Sequence, residues 1–254
     1  MDLQLKAKRA LVTGASKGIG RAIAFGLAAE GCDVAICARE AAGVAATVTE
    51  LKACGVNAYG ASVDVAEPQA LESFVKDAAA ALGGLDIVVC NASAFAHGAS
   101  KEAFRAAFDV DLMHTRNACE AALPWLERSG AGAIVAISSI SGSEDYGYDG
   151  VSYGTMKAAL FFYVKSLARH VAGKGIRANV VSPGTTLFDG GFWDRVRLND
   201  PKSFAANVAA NPLGRMGRPE EIADAVVFLA SPRASFISGT NLVVDGTLTM
   251  RVQG

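Results

Sequence analysis

The strongest constraint on this chain is a rhythm: short apolar runs alternate with longer, Ala-rich segments of helical period almost to the end. The runs are Arg9–Thr13, Asp33–Ala38, Asn57–Val63, Ile87–Cys90, Ala133–Ser138, Arg177–Val181 and Leu242–Val244. Helix is predicted near 19–30, 41–54, 67–82, 101–128, 152–173 and 219–230. Pro68 and Pro219 each suit a first helical turn, where a missing N–H costs nothing. The runs lack the polar alternation of half-exposed strands, so each predicted strand is buried on both sides. Repeated βα units of this kind predict an α/β fold, a doubly wound parallel sheet of about seven strands with helices on both faces. A chain of 254 residues, 51% hydrophobic, fills one such domain over 1–254. One segment breaks the rhythm. Residues 184–217 hold Gly190, Gly191, Pro201 and Pro212 between a strand and a helix, the pattern of a substrate loop or lid.

Charge and cysteine content exclude several classes. With a net charge of −1 and no basic cluster, no nucleic-acid partner is expected. Cys32, Cys37, Cys54, Cys90 and Cys119 are odd in number and lack C-x-x-C spacing, so neither a disulfide framework nor a metal site is expected. The N-terminus has no apolar leader before its first strand, and no long uncharged apolar stretch follows. The expectation is a soluble, cytoplasmic protein with no membrane partner.

The first strand runs into Thr13-Gly14-Ala15-Ser16-Lys17-Gly18-Ile19-Gly20, and a helix opens behind it. Glycines let the backbone turn tightly and approach a pyrophosphate at the positive end of the helix. The bland alternative is a strand–helix turn that merely needs glycine. The second strand ends Ile36-Cys37-Ala38-Arg39, with no carboxylate at its tip. An acidic residue there would bind a ribose 2′-hydroxyl, whereas a cation accommodates a 2′-phosphate. Arg39 with Lys17 therefore predicts NADP(H) in preference to NAD(H), unless Arg39 is simply a solvated loop charge.

The stretch from Ile134 to Lys157 carries the chemistry. Tyr153 and Lys157 lie four apart on a predicted helix, one turn from each other on one face. A strand delivering Ser139 beside them groups a hydroxyl, a phenol and an ammonium, suited to proton transfer at a substrate oxygen. Alone the pair is weak, since a chain of this composition holds roughly 0.2 chance Y-x-x-x-K matches.

Together with TGASKGIG at 13–20, further stretches make the chain resemble the short-chain dehydrogenase/reductase family over essentially its whole length. They are Asp64-Val65, Asn91-Ala92, Ile137-Ser138-Ser139, Tyr153-x-x-x-Lys157, Ser182-Pro183-Gly184, GRPEEIADAVVFLAS at 217–231, Ile237-Ser238-Gly239 and Val244-Asp245-Gly246. It is most similar to single-domain members that include 3-oxoacyl-carrier-protein reductases. The resemblance implies a Rossmann fold, a nicotinamide cofactor, a carbonyl or alcohol substrate and a homo-oligomer, tetramer or dimer. It implies Tyr153 as acid or base, Lys157 lowering the phenol's pKa and holding the ribose, and Ser139 on the substrate carbonyl. Ser139 is preferred to Ser138 because it begins the S-x-x-G pattern with Gly142. Gly14, Ser16, Lys17, Gly18, Ile19 and Gly20 would hold the diphosphate. Asp64 and Val65 would line the adenine, Asn91 and Ala92 the ribose side, and Pro183, Gly184, Thr185 and Thr186 the nicotinamide.

The chain departs from the family pattern at three places. Asp111 stands where the family usually has an Asn that supports a proton-relay water, and acts either as its replacement or as a structural substitution. Ser93 replaces a glycine. Phe188 replaces a threonine, leaving Thr185 or Thr186 for the carboxamide. Substrate contacts are expected from 94–100, 141–150 and the loop after Gly184, where Phe188, Phe192, Trp193 and Phe204 form either an apolar lid or ordinary packing. His97 either lines that pocket or is a satisfied loop histidine. Two other readings stay open: a cofactor-binding regulator or scaffold that lost turnover, and an epimerase or dehydratase with no net redox change.

Overall fold

The computed structural model describes residues 1–252; Gln253 and Gly254, the end of the stretch from Leu242 whose apolar character predicts packing on a partner subunit, lie outside them. The order is β1 (Arg9–Thr13), α1 (Gly18–Ala29), β2 (Asp33–Ala38), α2 (Ala41–Ala53), β3 (Ala58–Ser62), α3 (Pro68–Leu82) and β4 (Ile87–Cys90). There follow α4 (Lys101–Ala107), α5 (His114–Ser129), β5 (Ala133–Ile137), α6 (Val151–Val171), β6 (Arg177–Pro183), α7 (Phe192–Asn199), α8 (Pro201–Ala210), α9 (Pro219–Ala230) and β7 (Asn241–Val244). All strand pairings are parallel, in the order β3-β2-β1-β4-β5-β6-β7. This is the doubly wound sheet that the rhythm predicts.

Both faces of the sheet are covered. Alternate side chains of the strands divide between two cores. Leu11, Val88, Ile134 and Val180 pack with α3, α5 and α6, while Val12, Val89, Val135 and Val181 pack with α1 and α9. Helix ends follow local chemistry. Pro68, Pro201 and Pro219 open α3, α8 and α9, and Asp200 caps α8 by accepting the Ser203 N–H at 3.0 Å. Arg177 at the start of β6 closes the other end of α9, donating to Leu229 O at 2.7 Å and Ser231 O at 3.0 Å. A guanidinium there also meets the negative end of the helix dipole.

Two segments differ from the sequence expectation. The predicted helix over 101–128 is broken by a π-helical stretch, Phe108–Met113. The extra residue in that turn shifts the facing of everything before it, which hydrophobic period does not reveal. The segment 184–217 is not an open loop, since α7 and α8 occupy much of it. Among the described residues no helix is long and apolar enough to cross a membrane.

Candidate active site

Strand order reverses between β1 and β4, and their carboxyl ends diverge to open a crevice. Thr13 and Asn91 fasten its floor. The Thr13 hydroxyl accepts the N–H groups of Asn91 at 3.0 Å and Ala92 at 3.2 Å, and stands 2.9 Å from His114 Nε2. Nδ1 of His114 lies 2.9 Å from the Val110 carbonyl, which can only accept. The imidazole therefore carries its proton on Nδ1, and Nε2 accepts from Thr13. Burial pulls the His114 pKa down to about 4, so the ring is neutral. The Asn91 amide donates to Thr13 O at 2.9 Å and Gly14 O at 3.0 Å, which spends its N–H groups on the turn. Gly14 sits at φ +65°, and a Cβ there would come within 2.8 Å of the Ala92 backbone. Only glycine serves at that position.

The crevice has a volume of about 930 Å³ and is lined by Gly14, Ser16, Lys17, Arg39, Asp64, Val65, Asn91 and Ala92, among others. This assembles the residues expected at the adenosine and diphosphate from four separate strand ends. Gly18, Ile19 and Gly20 form the first turn of α1 beside it. A glycine turn at a helix N-terminus beside a crevice of this size fits a dinucleotide. Arg39 and Lys17 are exposed, and neither is paired with a carboxylate among the described residues. Glu40, which sequence reasoning passed over, also lines the crevice and adds one carboxylate beside Arg39. The residues at the end of β6 are not part of this lining. The Phe188 ring covers the turn instead: a Cβ on Gly18 would meet its Cζ at 2.6 Å. Of the two candidate threonines, Thr186 donates to Gly184 O at 3.1 Å, whereas the buried Thr185 hydroxyl has no partner among the described residues. Thr185 borders a separate cavity of about 170 Å³. Pro183 and Gly184 lie against β7, with Gly184 N–H donating to Val244 O at 2.9 Å.

Past Asn91, β5 and α6 bring the reactive groups together. Ser138 donates to the Lys157 carbonyl at 2.8 Å, so its hydroxyl serves the helix. Ser139 Oγ accepts the Ser141 N–H at 3.1 Å and keeps its own O–H available. Lys157 Nζ donates to Ile137 O at 2.9 Å and lies 5.5 Å from the centre of the Tyr153 ring. The π-helical stretch turns Asp111 inward, with Oδ1 3.1 Å from Lys157 Nζ and both side chains buried. The pair is in ionic contact, and the carboxylate holds the Lys157 ammonium in its charged form. Asp111 Oδ2 accepts the Ala94 N–H at 3.4 Å.

Lys157 lowers the Tyr153 pKa as the resemblance implies, yet burial outweighs it and the phenol lies above its ordinary value. Burial is the largest cause; the ammonium pulls the pKa down, and the Asp111 carboxylate pushes it up again. Burial also opposes the charge on Lys157, but Asp111 and Tyr153 together lift that pKa above its usual value, so the ammonium stays protonated. Sequence reasoning left a second feature open. Phe95, His97 and Phe192 gather over Tyr153, with Phe95 5.1 Å and His97 5.4 Å from its ring centre. Among the described residues no group of potential metal ligands occurs.

Comparison with known proteins agrees with this geometry. Residues 14–249 match the family model described as "Enoyl-(Acyl carrier protein) reductase". Isoepoxydon dehydrogenase of Penicillium expansum is 35% identical, over 98% of this chain and 97% of its own length. A 3-oxoacyl-[acyl-carrier-protein] reductase of Staphylococcus aureus is 34% identical, over 96% of this chain and 98% of its own. The crystal structure of L-sorbose reductase from Gluconobacter frateurii, complexed with NADPH and L-sorbose, superposes with a TM-score of 0.92 at 29% identity, covering 99% of this chain and 100% of that one. The chain belongs to the short-chain dehydrogenase/reductase family and is an NAD(P)-dependent oxidoreductase.

Proposed function

We propose that this enzyme interconverts a carbonyl and a secondary alcohol with NADP(H) in preference to NAD(H), and that Tyr153 is its acid/base. The carrying observation is that Ser139 and Lys157 both act on the Tyr153 phenol, in a fold whose crevice presents Arg39 and Lys17. A bound nicotinamide supplies or accepts the hydride. In reduction, Tyr153 donates its phenolic proton to the oxygen that gains charge, and Ser139 donates a hydrogen bond to the same atom. In oxidation Tyr153 takes that proton back. The protonated Lys157 favours the tyrosinate and holds the ribose, while Asp111 keeps the ammonium in place and is positioned to pass protons onward. Thr185 or Thr186 serves the carboxamide, and of the two Thr185 has the unspent hydroxyl. The cofactor assignment is supported by the exposed Arg39 and Lys17 and by the NADPH in the L-sorbose reductase structure, against the Glu40 carboxylate that follows Arg39.

The segment 184–217 acts as a lid, and the enzyme works as a homo-oligomer. Phe162 on α6 is 81% exposed and Phe236 wholly so, which favours a covering subunit. The test follows NADPH absorbance at 340 nm with a panel of ketones. Wild type consumes NADPH, and Tyr153→Phe loses 10²-fold or more of kcat, on the order of a general acid's contribution, while binding the nucleotide normally. Wild-type-like kcat in that variant removes the role. Tight nucleotide binding without turnover across the panel favours the regulator instead.

A further inference from the structure

An aromatic wall stands over the phenol. The Phe95 ring lies 5.1 Å from Tyr153 and 5.1 Å from Phe192. His97 stands between Tyr153 and Phe192, 5.4 Å from one and 6.1 Å from the other, with its plane within 16° of both. Trp193 meets Phe192 edge-on at 5.1 Å. Two elements far apart in sequence supply these rings, the loop after β4 and the first turn of α7.

The loop takes up strain to present them. Phe95 has φ +49°, a left-handed conformation that a bulky side chain rarely adopts. Such a residue persists only where its surroundings over-determine it, and such residues cluster at functional sites. Here Phe95 N–H donates to Ser93 Oγ at 3.0 Å, Ser152 Oγ to Ala96 O at 2.9 Å and Gly98 N–H to Asp149 O at 2.6 Å. The strained backbone is thereby pinned to the start of α6, the helix that carries Tyr153. Core packing does not account for the rings, since Phe95 is 40% and Phe192 37% exposed. His97 is the polar residue that the loop after β4 adds to the group; it is exposed to solvent, and its nitrogens have no hydrogen bond to the described residues. A ligand with a C–H face and a hydroxyl at its edge answers both features. Its face covers Phe95 and Phe192, and its hydroxyl meets the imidazole. An open acyl chain would desolvate His97 without a partner, which is costly.

We propose that this cage selects a hydroxylated alicyclic ring ketone over an open-chain acyl ketone, with His97 as the specificity-determining residue. The proposal rests on the carbonyl-reduction reading of the same site. The full-length protein with saturating NADPH is tested on 2-hydroxycyclohexanone, cyclohexanone and an acetoacetyl-N-acetylcysteamine thioester. The expected kcat/KM for 2-hydroxycyclohexanone exceeds each of the others at least tenfold. His97→Phe keeps an aromatic ring and removes the hydrogen bond. It is expected to collapse the ratio of kcat/KM between the hydroxylated and plain ring at least tenfold, chiefly through KM. NADPH affinity and the melting temperature serve as folding controls. Preference for the thioester, or an unchanged ratio in His97→Phe, overturns the proposal while leaving carbonyl reduction intact. Bound NADPH with no consumption on any of the three overturns the reductase reading and this one with it.

Discussion

Replacing Asp111 by Asn removes one charge from the centre of the site while keeping the side chain's size. Two opposed effects meet at Tyr153, and their distances set the magnitude. Lys157 Nζ is 5.5 Å from the ring centre and 3.1 Å from the Asp111 carboxylate. The carboxylate is therefore at most about 9 Å from the ring, where two charges at an effective dielectric of about 20 interact by about 2 kcal/mol. That corresponds to slightly more than one pKa unit. In Asp111→Asn the ammonium acts on the phenol unopposed, so the Tyr153 pKa falls by about one unit. In alcohol oxidation the tyrosinate is the base, so the ascending limb of kcat/KM against pH moves about one unit toward acid. The assay is the rate of NADP⁺ reduction with a secondary alcohol over a broad pH range, at saturating cofactor. Stability falls as well, because an unpaired buried ammonium costs about 3 kcal/mol. Because its pKa is raised, the contribution of Lys157 is fully present below its unfolded value of about 10.5 and is lost as pH rises above it. A limb that stays in place or moves toward alkali would refute the electrostatic account and leave Asp111 a purely structural substitution.

Three other outcomes follow from the geometry. Arg39→Ala is expected to weaken NADPH about tenfold, the loss of one charge-assisted contact, and to leave NADH affinity nearly unchanged; calorimetry showing equal losses for both nucleotides removes the 2′-phosphate assignment. Phe188→Ala uncovers the turn at Gly18, which returns about 1–2 kcal/mol of ring burial. NADPH should then bind about tenfold more tightly, and weaker binding would mean that the ring covers the cofactor rather than competing with it. His114, with its pKa at about 4, stays neutral in the fold, while the unfolded chain takes up a proton near 6.5. The His114 contribution to stability is therefore full above about 6.5 and is lost as pH falls to about 4, about 3 kcal/mol in all. Urea melts across that window read the slope, and His114→Asn should abolish it; a flat wild-type curve contradicts the neutral assignment.

The architecture was legible because it depends on local properties. Apolar runs buried on both faces and helical period between them are visible in the chain itself, and strand ends were predicted to within one or two residues. Glycines after β1, the Tyr153–Lys157 spacing and the absence of a carboxylate at the tip of β2 are equally local. The break at Phe108–Met113 was not legible, because a π turn leaves the hydrophobic pattern almost unaltered. The split of 184–217 into α7 and α8 was hidden for another reason. Short helices under tertiary control carry weak periodic signals, even with Pro201 marking one start.

By itself, then, the sequence determined a parallel doubly wound sheet, a glycine turn facing a helix N-terminus, and a hydroxyl, phenol and ammonium at one sheet edge. Tertiary structure decided what those groups feel. The inward facing of Asp111, the net upward shift of Tyr153 and the neutral tautomer of His114 each arise from side chains that meet across the fold. Phe188 against Gly18 joins positions 170 apart in the chain, and the left-handed Phe95 is held by its N–H donating to Ser93 and by a hydrogen bond from α6 to the next residue. Pairwise electrostatics and backbone strain depend on separation in space, and separation along the chain does not encode it.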